Sequence, residues 1–203
     1  MGAWPAAVVL AAATAALAGG CRAATPPPAL PPAGEPLASP APATRPPGFP
    51  DVGTAASPVT VRLPAAPDPA ERAVLVAYLE HWRGRVLAFE RVDPAEPGLR
   101  RGTIEPATGQ YVRTLQVLRQ AGVRSVRGPI ALAPSVAQQD DRYALVRDCV
   151  DVREFVARDA AGRPVPRFAE ASPVGAQIIL VRLPGSGRWT VRQVNPADAG
   201  AGC

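Results

Sequence analysis

Apolar side chains recur every three or four positions between residues 74 and 90. This spacing is typical of one face of an α-helix, here carried by Leu75, Tyr78, Trp82, Val86 and Phe89. Just before this run, Asp68 is a favourable N-cap, Pro69 suits the first helical position and Glu71 completes a capping box. We therefore predict a helix from about residue 69 to Arg91, ended by the prolines at positions 94 and 97.

A second helix is predicted from about residue 107 to residue 121. Tyr111, Leu115 and Leu118 recur at helical spacing and would form its apolar face. Gly122 follows, and glycine readily takes the left-handed conformation that ends a helix.

Beyond Gly122 the pattern changes to short alternating runs separated by turn residues, which is typical of antiparallel strands. These runs cover residues 124–127 and 130–137 (one proline-interrupted region), 142–153, 155–157, 174–183 and 188–194. In the third run, alternation places Tyr143, Leu145 and Cys149 on one face and Ala144, Val146, Asp148 and Val150 on the other. Helices followed by a meander of strands predict an α+β fold.

The first 20 residues have a different character. They carry no charged side chain, and residues 6–17 are an apolar run of the length found in signal peptides. Small residues then lead to Cys21, and the sequence Leu17-Ala18-Gly19-Gly20-Cys21 resembles the lipobox of bacterial lipoproteins. In that family the cysteine thiol carries diacylglycerol and the chain is cut just before it. The alternatives are an uncleaved membrane anchor formed by residues 2–20, and simple secretion. All three export the rest of the chain.

Residues 22–67 contain 14 prolines among 46 residues, and Phe49 is their only aromatic side chain. Such a composition favours an extended, disordered tether. The short stretch from Val59 to Leu63 is β-like and is expected to pack at the edge of the folded part. The predicted organisation is therefore a signal peptide at 1–20, a lipidated cysteine and tether at 21–67, and one domain at 68–203.

Composition excludes some functions. The formal net charge is +5, and all 22 basic residues are arginines that alternate with acidic residues rather than clustering in a basic stripe. This pattern argues against nucleic-acid binding. His81 is the single histidine, so a histidine-based metal site is not expected, and no cofactor-binding motif is present.

Several short features together resemble exported actinobacterial lipoproteins with an NTF2-like (SnoaL/ketosteroid-isomerase-like) domain. They are the aromatic-bearing first helix, the Ala107-Thr108-Gly109 helix entry, the stretch Asp148-Cys149-Val150-Asp151, and the final Trp189-x-Val191 strand. The resemblance covers residues 68–203 and implies a cone, in which a curved antiparallel sheet wraps around a long helix. By analogy with such domains, a homodimer through the open sheet face is expected. Similar domains also accompany mammalian-cell-entry transport systems.

The chain has three cysteines. If Cys21 is lipidated, Cys149 and Cys203 remain, and in an oxidising compartment we expect them to pair. The bridge would fasten residues 196–203 to the sheet. The alternative is two free thiols.

The interior of the expected cone is the place where site residues would lie. Asp148 shares the inward face of its strand, where it would be a candidate general base with a raised pKa. Alternatively it pairs with one of the nearby arginines, Arg147, Arg153 or Arg192. Tyr78, Trp82 and Tyr111 either line a pocket for an apolar ligand or pack as core. His81 is rotated about 100° from Trp82 and is expected at the solvated rim.

Three functions remain open at this level. The first is a non-catalytic interaction module in the cell envelope, held at the outer membrane face through lipid on Cys21 and docking on another envelope protein. The second is a binder of a small apolar ligand. The third is an isomerase-type or dehydratase-type enzyme that uses Asp148. An open interior with a buried carboxylate would favour the last two, and a filled interior would favour the first.

Overall fold

The longest element in the computed structural model, which describes residues 47–166 and 173–197, is helix α1, Pro69–Arg91. The Asp68 carboxylate accepts hydrogen bonds from the backbone N–H groups of Ala70 and Glu71, and Glu71 accepts one from the Asp68 N–H. The predicted capping box is therefore confirmed. The helix ends at Val92, which takes a left-handed conformation with a φ of 48°, just before the predicted stop at Pro94.

Two further helices follow. Helix α2, Pro97–Gly102, was not predicted, whereas helix α3, Ala107–Gln120, agrees with the prediction to one residue. Helices α1 and α2 touch through their backbones, because a Cβ added to Gly84 would lie 2.4 Å from the carbonyl carbon of Gly98. Glycine at position 84 therefore sets the distance between these two helices.

Eight strands complete the described part of the chain. They are β1 (Val59–Val61), β2 (Ser125–Arg127), β3 (Ile130–Leu132), β4 (Ser135–Gln139), β5 (Tyr143–Val150), β6 (Val156–Arg158), β7 (Val174–Arg182) and β8 (Trp189–Pro196). The main sheet is antiparallel with the order β4-β5-β7-β8. Strand β2 pairs antiparallel with β6, and β1 pairs parallel with β3. This mixture of helices and antiparallel strands confirms the α+β class.

Strands β3 and β4 are one run interrupted near Pro134. Ala131 stands opposite Asp151 before the break, and Ser135 stands opposite Arg147 after it. Since three residues separate the paired positions on each strand, the register is unchanged across the interruption. The break removes ladder hydrogen bonds without shifting which side chains face inward.

The main core fills the space between α1 and the inner face of the sheet. Side chains of this core that are at most 2% exposed include Leu75, Tyr78, Leu79, Trp82, Val146 and Leu180. A second cluster joins the end of α1 to α3, β2 and β6 through Phe89, Leu99, Tyr111, Leu115 and Val126. Alternation along β5 is as predicted, with Ala144, Val146, Asp148 and Val150 buried.

The segment before α1 corrects the predicted domain boundary. Phe49, Val52 and Val61 are buried in the main core, and the Arg72 guanidinium lies over the Phe49 ring at 5.0 Å. The hydroxyl of Thr54 also donates a hydrogen bond to Glu90 of α1. The folded part therefore begins before residue 68, and the prediction of a tether up to residue 67 is wrong for these core residues. The predicted signal peptide at 1–20, Cys21, the part of the predicted tether before residue 47 and Cys203 lie outside the described residues.

Within the part of the chain that the structure describes, none of the helices has both the length and the apolar character needed to cross a membrane.

A pair of glycine substitutions tests the contact between α1 and α2. Gly84→Ala should lower the free energy of unfolding by about 2 kcal/mol, because overpacking against the Gly98 backbone outweighs the better helix propensity of alanine. Gly109→Ala in α3 is the control, since its Cβ would meet only the movable ends of the Glu105 and Arg113 side chains. It should be neutral or stabilising. Urea unfolding measures both, and equal stability of the two variants would contradict the backbone contact.

Candidate functional site

A line of hydrogen bonds links helix α1 to the sheet inside the main core. Tyr78 and Trp82 lie four residues apart on α1, so their side chains are neighbours on one helix face. The Trp82 indole N–H donates to the Tyr78 hydroxyl oxygen, and the Tyr78 hydroxyl donates to Oδ2 of Asp148 on β5. The line thus runs from the helix to the middle of the sheet.

The other carboxylate oxygen of Asp148 accepts a hydrogen bond from the backbone at the break between β3 and β4. Oδ1 accepts a hydrogen bond of 2.6 Å from the backbone N–H of Ala133, which lies between β3 and β4. In the shared register Ala133 stands opposite Cys149, so its N–H is at the position where the ladder is interrupted. Asp148 therefore supplies the acceptor that a buried backbone N–H requires.

Burial raises the pKa of the Asp148 carboxyl, and the hydrogen bonds from Tyr78 and Ala133 oppose that rise. The side chain is only 5% exposed. Burial and the nearby Asp148 charge also raise the pKa of Tyr78 well above its ordinary value, which keeps its hydroxyl protonated as a donor. Asp148 thus faces inward as predicted. The alternative, an ion pair with a nearby arginine, is wrong within the described residues, where Arg153 pairs with Asp151 instead.

His81 is not at the solvated rim, and that prediction is wrong. Its side chain is 1% exposed, and its Nε2 lies 3.1 Å from the Tyr111 hydroxyl. Helix α2 covers it, since a Cβ on Gly102 would lie 2.9 Å from the His81 Cα. Burial, with a smaller contribution from the Arg85 charge, lowers the pKa of His81 from 6.5 to about 3. Its Nδ1 has no hydrogen-bond partner among the described residues.

Arg85 lies between the Trp82–Tyr78–Asp148 line and the His81–Tyr111 pair. It was not singled out from the sequence. Its guanidinium lies 4.2 Å from the centre of the Trp82 ring and also stacks over the rings of Tyr111 and Phe89. Arg85 lies three residues after Trp82 and four before Phe89, and this helical spacing could have indicated that it lies on the same face as the two aromatic residues. The positive charge of Arg85 contributes to lowering the pKa of His81 and opposes the rise in the pKa of Asp148.

The three aromatic residues proposed as pocket lining pack as core instead. Tyr78, Trp82 and Tyr111 are 0%, 2% and 6% exposed, respectively. The described part of the domain has clefts of about 900, 480 and 630 Å³, and these three side chains line none of them. The arrangement holds a helix on a sheet, and Asp148 lines none of these three clefts either.

Cys149 lies half-buried on the outer face of β5 and is disulfide-bonded. It is the only cysteine among the described residues, so its partner lies outside them. Cys149 stands opposite Gly175, whose carbonyl accepts a hydrogen bond of 2.8 Å from the N–H of Ala197. The carboxyl end of β8 therefore lies near Cys149. Pairing with Cys203 stays a prediction.

The described residues contain no group of three or more His, Cys, Asp or Glu side chains able to hold a metal ion. No family model matches the chain, and no curated protein is significantly similar to it.

Replacing His81 tests the burial of this histidine. The unfolded chain binds the His81 proton near pH 6.5 and the folded chain only near pH 3. Between these values the unfolded state holds more protons, so lowering the pH favours unfolding by up to ~1.4 kcal/mol per pH unit. Asp148 acts in the opposite sense, because its raised pKa makes the folded state hold more protons at low pH.

The His81→Gln variant keeps a polar side chain beside Tyr111 but cannot titrate. We expect its free energy of unfolding to depend less steeply on pH between 6.5 and 4 than that of the wild type, measured by urea unfolding at each pH. The difference between the two curves removes the Asp148 contribution common to both. Parallel curves would show that His81 is solvated.

Proposed function

We propose that this chain is a lipoprotein whose NTF2-like domain acts as a non-catalytic interaction module at the outer face of the cell membrane. The observation that carries the proposal is the engagement of Asp148. Both of its carboxylate oxygens accept hydrogen bonds from groups of the fold, one from Tyr78 and one from Ala133. Asp148, the strongest candidate for catalysis, therefore has a structural role in the fold.

A general base must lie within hydrogen-bond reach of the proton that it removes from a substrate. Asp148 is 5% exposed, and the described clefts have other linings. Its raised pKa follows from burial alone and needs no catalytic role. The same packing disfavours an apolar-ligand binder, because Tyr78, Trp82 and Tyr111 fill the interior that such a ligand would occupy.

The order and contacts of the elements support an NTF2-like cone. After the short strand β1, the three helices precede all the other strands, and the 23-residue α1 packs its Tyr78 and Trp82 against the inner face of the β4-β5-β7-β8 sheet. Bulges in the β4–β5 and β7–β8 pairs, together with the break at Pro134, are the features that bend a sheet around a helix.

The proposed attachment is through diacylglycerol on Cys21. Between Cys21 and Pro47 lie 25 residues, which are rich in proline and could reach at most roughly 80 Å if extended as polyproline II. A tether of this length lets the domain meet another protein of the envelope while it stays attached to the membrane. A second copy of the chain is the alternative partner.

Metabolic labelling tests the anchor. The full chain, expressed in a bacterium supplied with a fatty-acid analogue, should incorporate the label and sediment with membranes. Cys21→Ala should lose both the label and membrane association. Cys149→Ala is the matched control, because it also removes one cysteine but lies on β5 within the domain, so it should keep the label. Label retained by Cys21→Ala would contradict the proposal.

Cross-linking on the same membranes addresses the interaction role. A defined cross-linked species should form with the wild-type chain and be lost with Cys21→Ala. Its mass distinguishes a second copy of the chain from another envelope protein. Turnover of an added substrate that Asp148→Asn abolishes, without loss of the fold, would overturn the non-catalytic assignment.

A further inference from the structure

A cleft of about 480 Å³ lies where helices α1 and α2 meet the start of β8. Its walls carry three arginines, from α1, from α2 and from the turn just before β8, together with one glutamate and one leucine, and its floor is formed by three glycines. The lining residues are Glu80, Arg83, Gly84, Leu87, Gly98, Arg101, Gly102 and Arg188. We call this feature the arginine cleft.

The charge of the arginine cleft is unbalanced. Three guanidinium groups face one carboxylate, that of Glu80. Arg83, Arg101 and Arg188 are exposed and form no ion pair within the range 47–166 and 173–197, where the ion-paired arginines are Arg91, Arg153 and Arg163. Three positive charges and one negative charge along the same cleft favour the approach of an anion.

The floor of the cleft is rigid. A Cβ on Gly84 would lie within 2.6 Å of three backbone atoms of α2, and one on Gly102 would lie 2.9 Å from the His81 Cα. The helices are therefore in direct backbone contact, and the three glycines place no side chain in the cleft. The backbone beneath the three arginines is fixed before a ligand binds, so the freedom lost on binding is that of the exposed arginine side chains.

We propose that the arginine cleft binds the phosphate group of an anionic ligand. The planar fork of an arginine matches two oxygens of a phosphate, and several arginines together recognise its full charge. The volume exceeds that of a phosphate ion, which leaves room for the group that carries it. Leu87 offers that group an apolar contact, and Glu80 offers an acceptor for a hydroxyl.

Two sources have this chemistry, the headgroup of an anionic phospholipid and a soluble phosphorylated compound. The proposal does not rest on lipidation of Cys21, because the cleft is formed by residues of the folded domain alone. Its failure is therefore distinguishable from failure of the anchor.

Two triple variants of the full chain test the site. The cleft variant is Arg83→Gln, Arg101→Gln, Arg188→Gln. The control variant is Arg113→Gln, Arg119→Gln, Arg127→Gln, which removes the same charge from exposed positions on α3 and β2. Both should unfold at nearly the wild-type temperature, since exposed substitutions of this kind change stability little.

Binding of inorganic pyrophosphate is measured by calorimetry at low salt. Binding to vesicles is measured by flotation, with phosphatidylglycerol in phosphatidylcholine compared with phosphatidylcholine alone. The readout is the extra binding to vesicles that contain phosphatidylglycerol over binding to phosphatidylcholine alone. Any insertion of an apolar segment into the bilayer contributes equally to both and is removed by this subtraction. We expect the wild type to bind at least one probe, the cleft variant to bind it at least about tenfold more weakly, and the control to differ by less than about twofold.

The two probes identify the source. Loss confined to the phosphatidylglycerol increment assigns the cleft to a lipid headgroup, and loss confined to pyrophosphate assigns it to a soluble phosphate compound. Equal losses in the cleft and control variants would mean attraction by net charge alone and would overturn the proposal. Wild-type protein that binds neither probe would overturn it as well.

Discussion

The fold depends on one buried carboxylate. Asp148 accepts a hydrogen bond from Tyr78 of α1 with one oxygen and from the Ala133 N–H with the other. An ionised carboxylate without partners would be costly in the core, so these donors are needed for its burial. In return Asp148 fastens the long helix to the sheet and closes the break between β3 and β4. Loss of either donor would leave one carboxylate oxygen without its partner, and loss of the Tyr78 hydroxyl would also remove the polar link between α1 and the sheet.

This constraint also decides where chemistry can occur. The inner face of the sheet is covered by Asp148, the aromatic residues of α1 and their apolar neighbours, so the recognition that we propose uses the surface. The same helix that contributes Tyr78 inward contributes Gly84 and Arg83 to the arginine cleft. Close contact at Gly84 fixes the position of α2 and with it Arg101. The packing that closes the interior therefore builds the cleft on the surface.

Sequence patterns predicted most elements but not how they combine. Capping residues and periodicity located α1 and α3, and alternation along β5 placed Asp148 inward. The burial of His81 could not be predicted, because periodicity identifies one helix face and does not show that α2 covers a second. The burial of Phe49 and Val52 was not predicted, because the average composition of the proline-rich segment around them indicates a tether. The link from Asp148 to Ala133 needs the register across a strand break, which no local pattern contains.

The most direct test of the central role of Asp148 is a double-mutant cycle with Tyr78→Phe and Asp148→Asn, followed by urea unfolding at neutral pH. The two residues form a hydrogen bond in the core, so the change in unfolding free energy for the double variant should differ from the sum of the single changes by ~1–3 kcal/mol. Single effects that add to within ~0.5 kcal/mol would show that the two side chains act independently, and the account of a carboxylate that fastens helix to sheet would be contradicted.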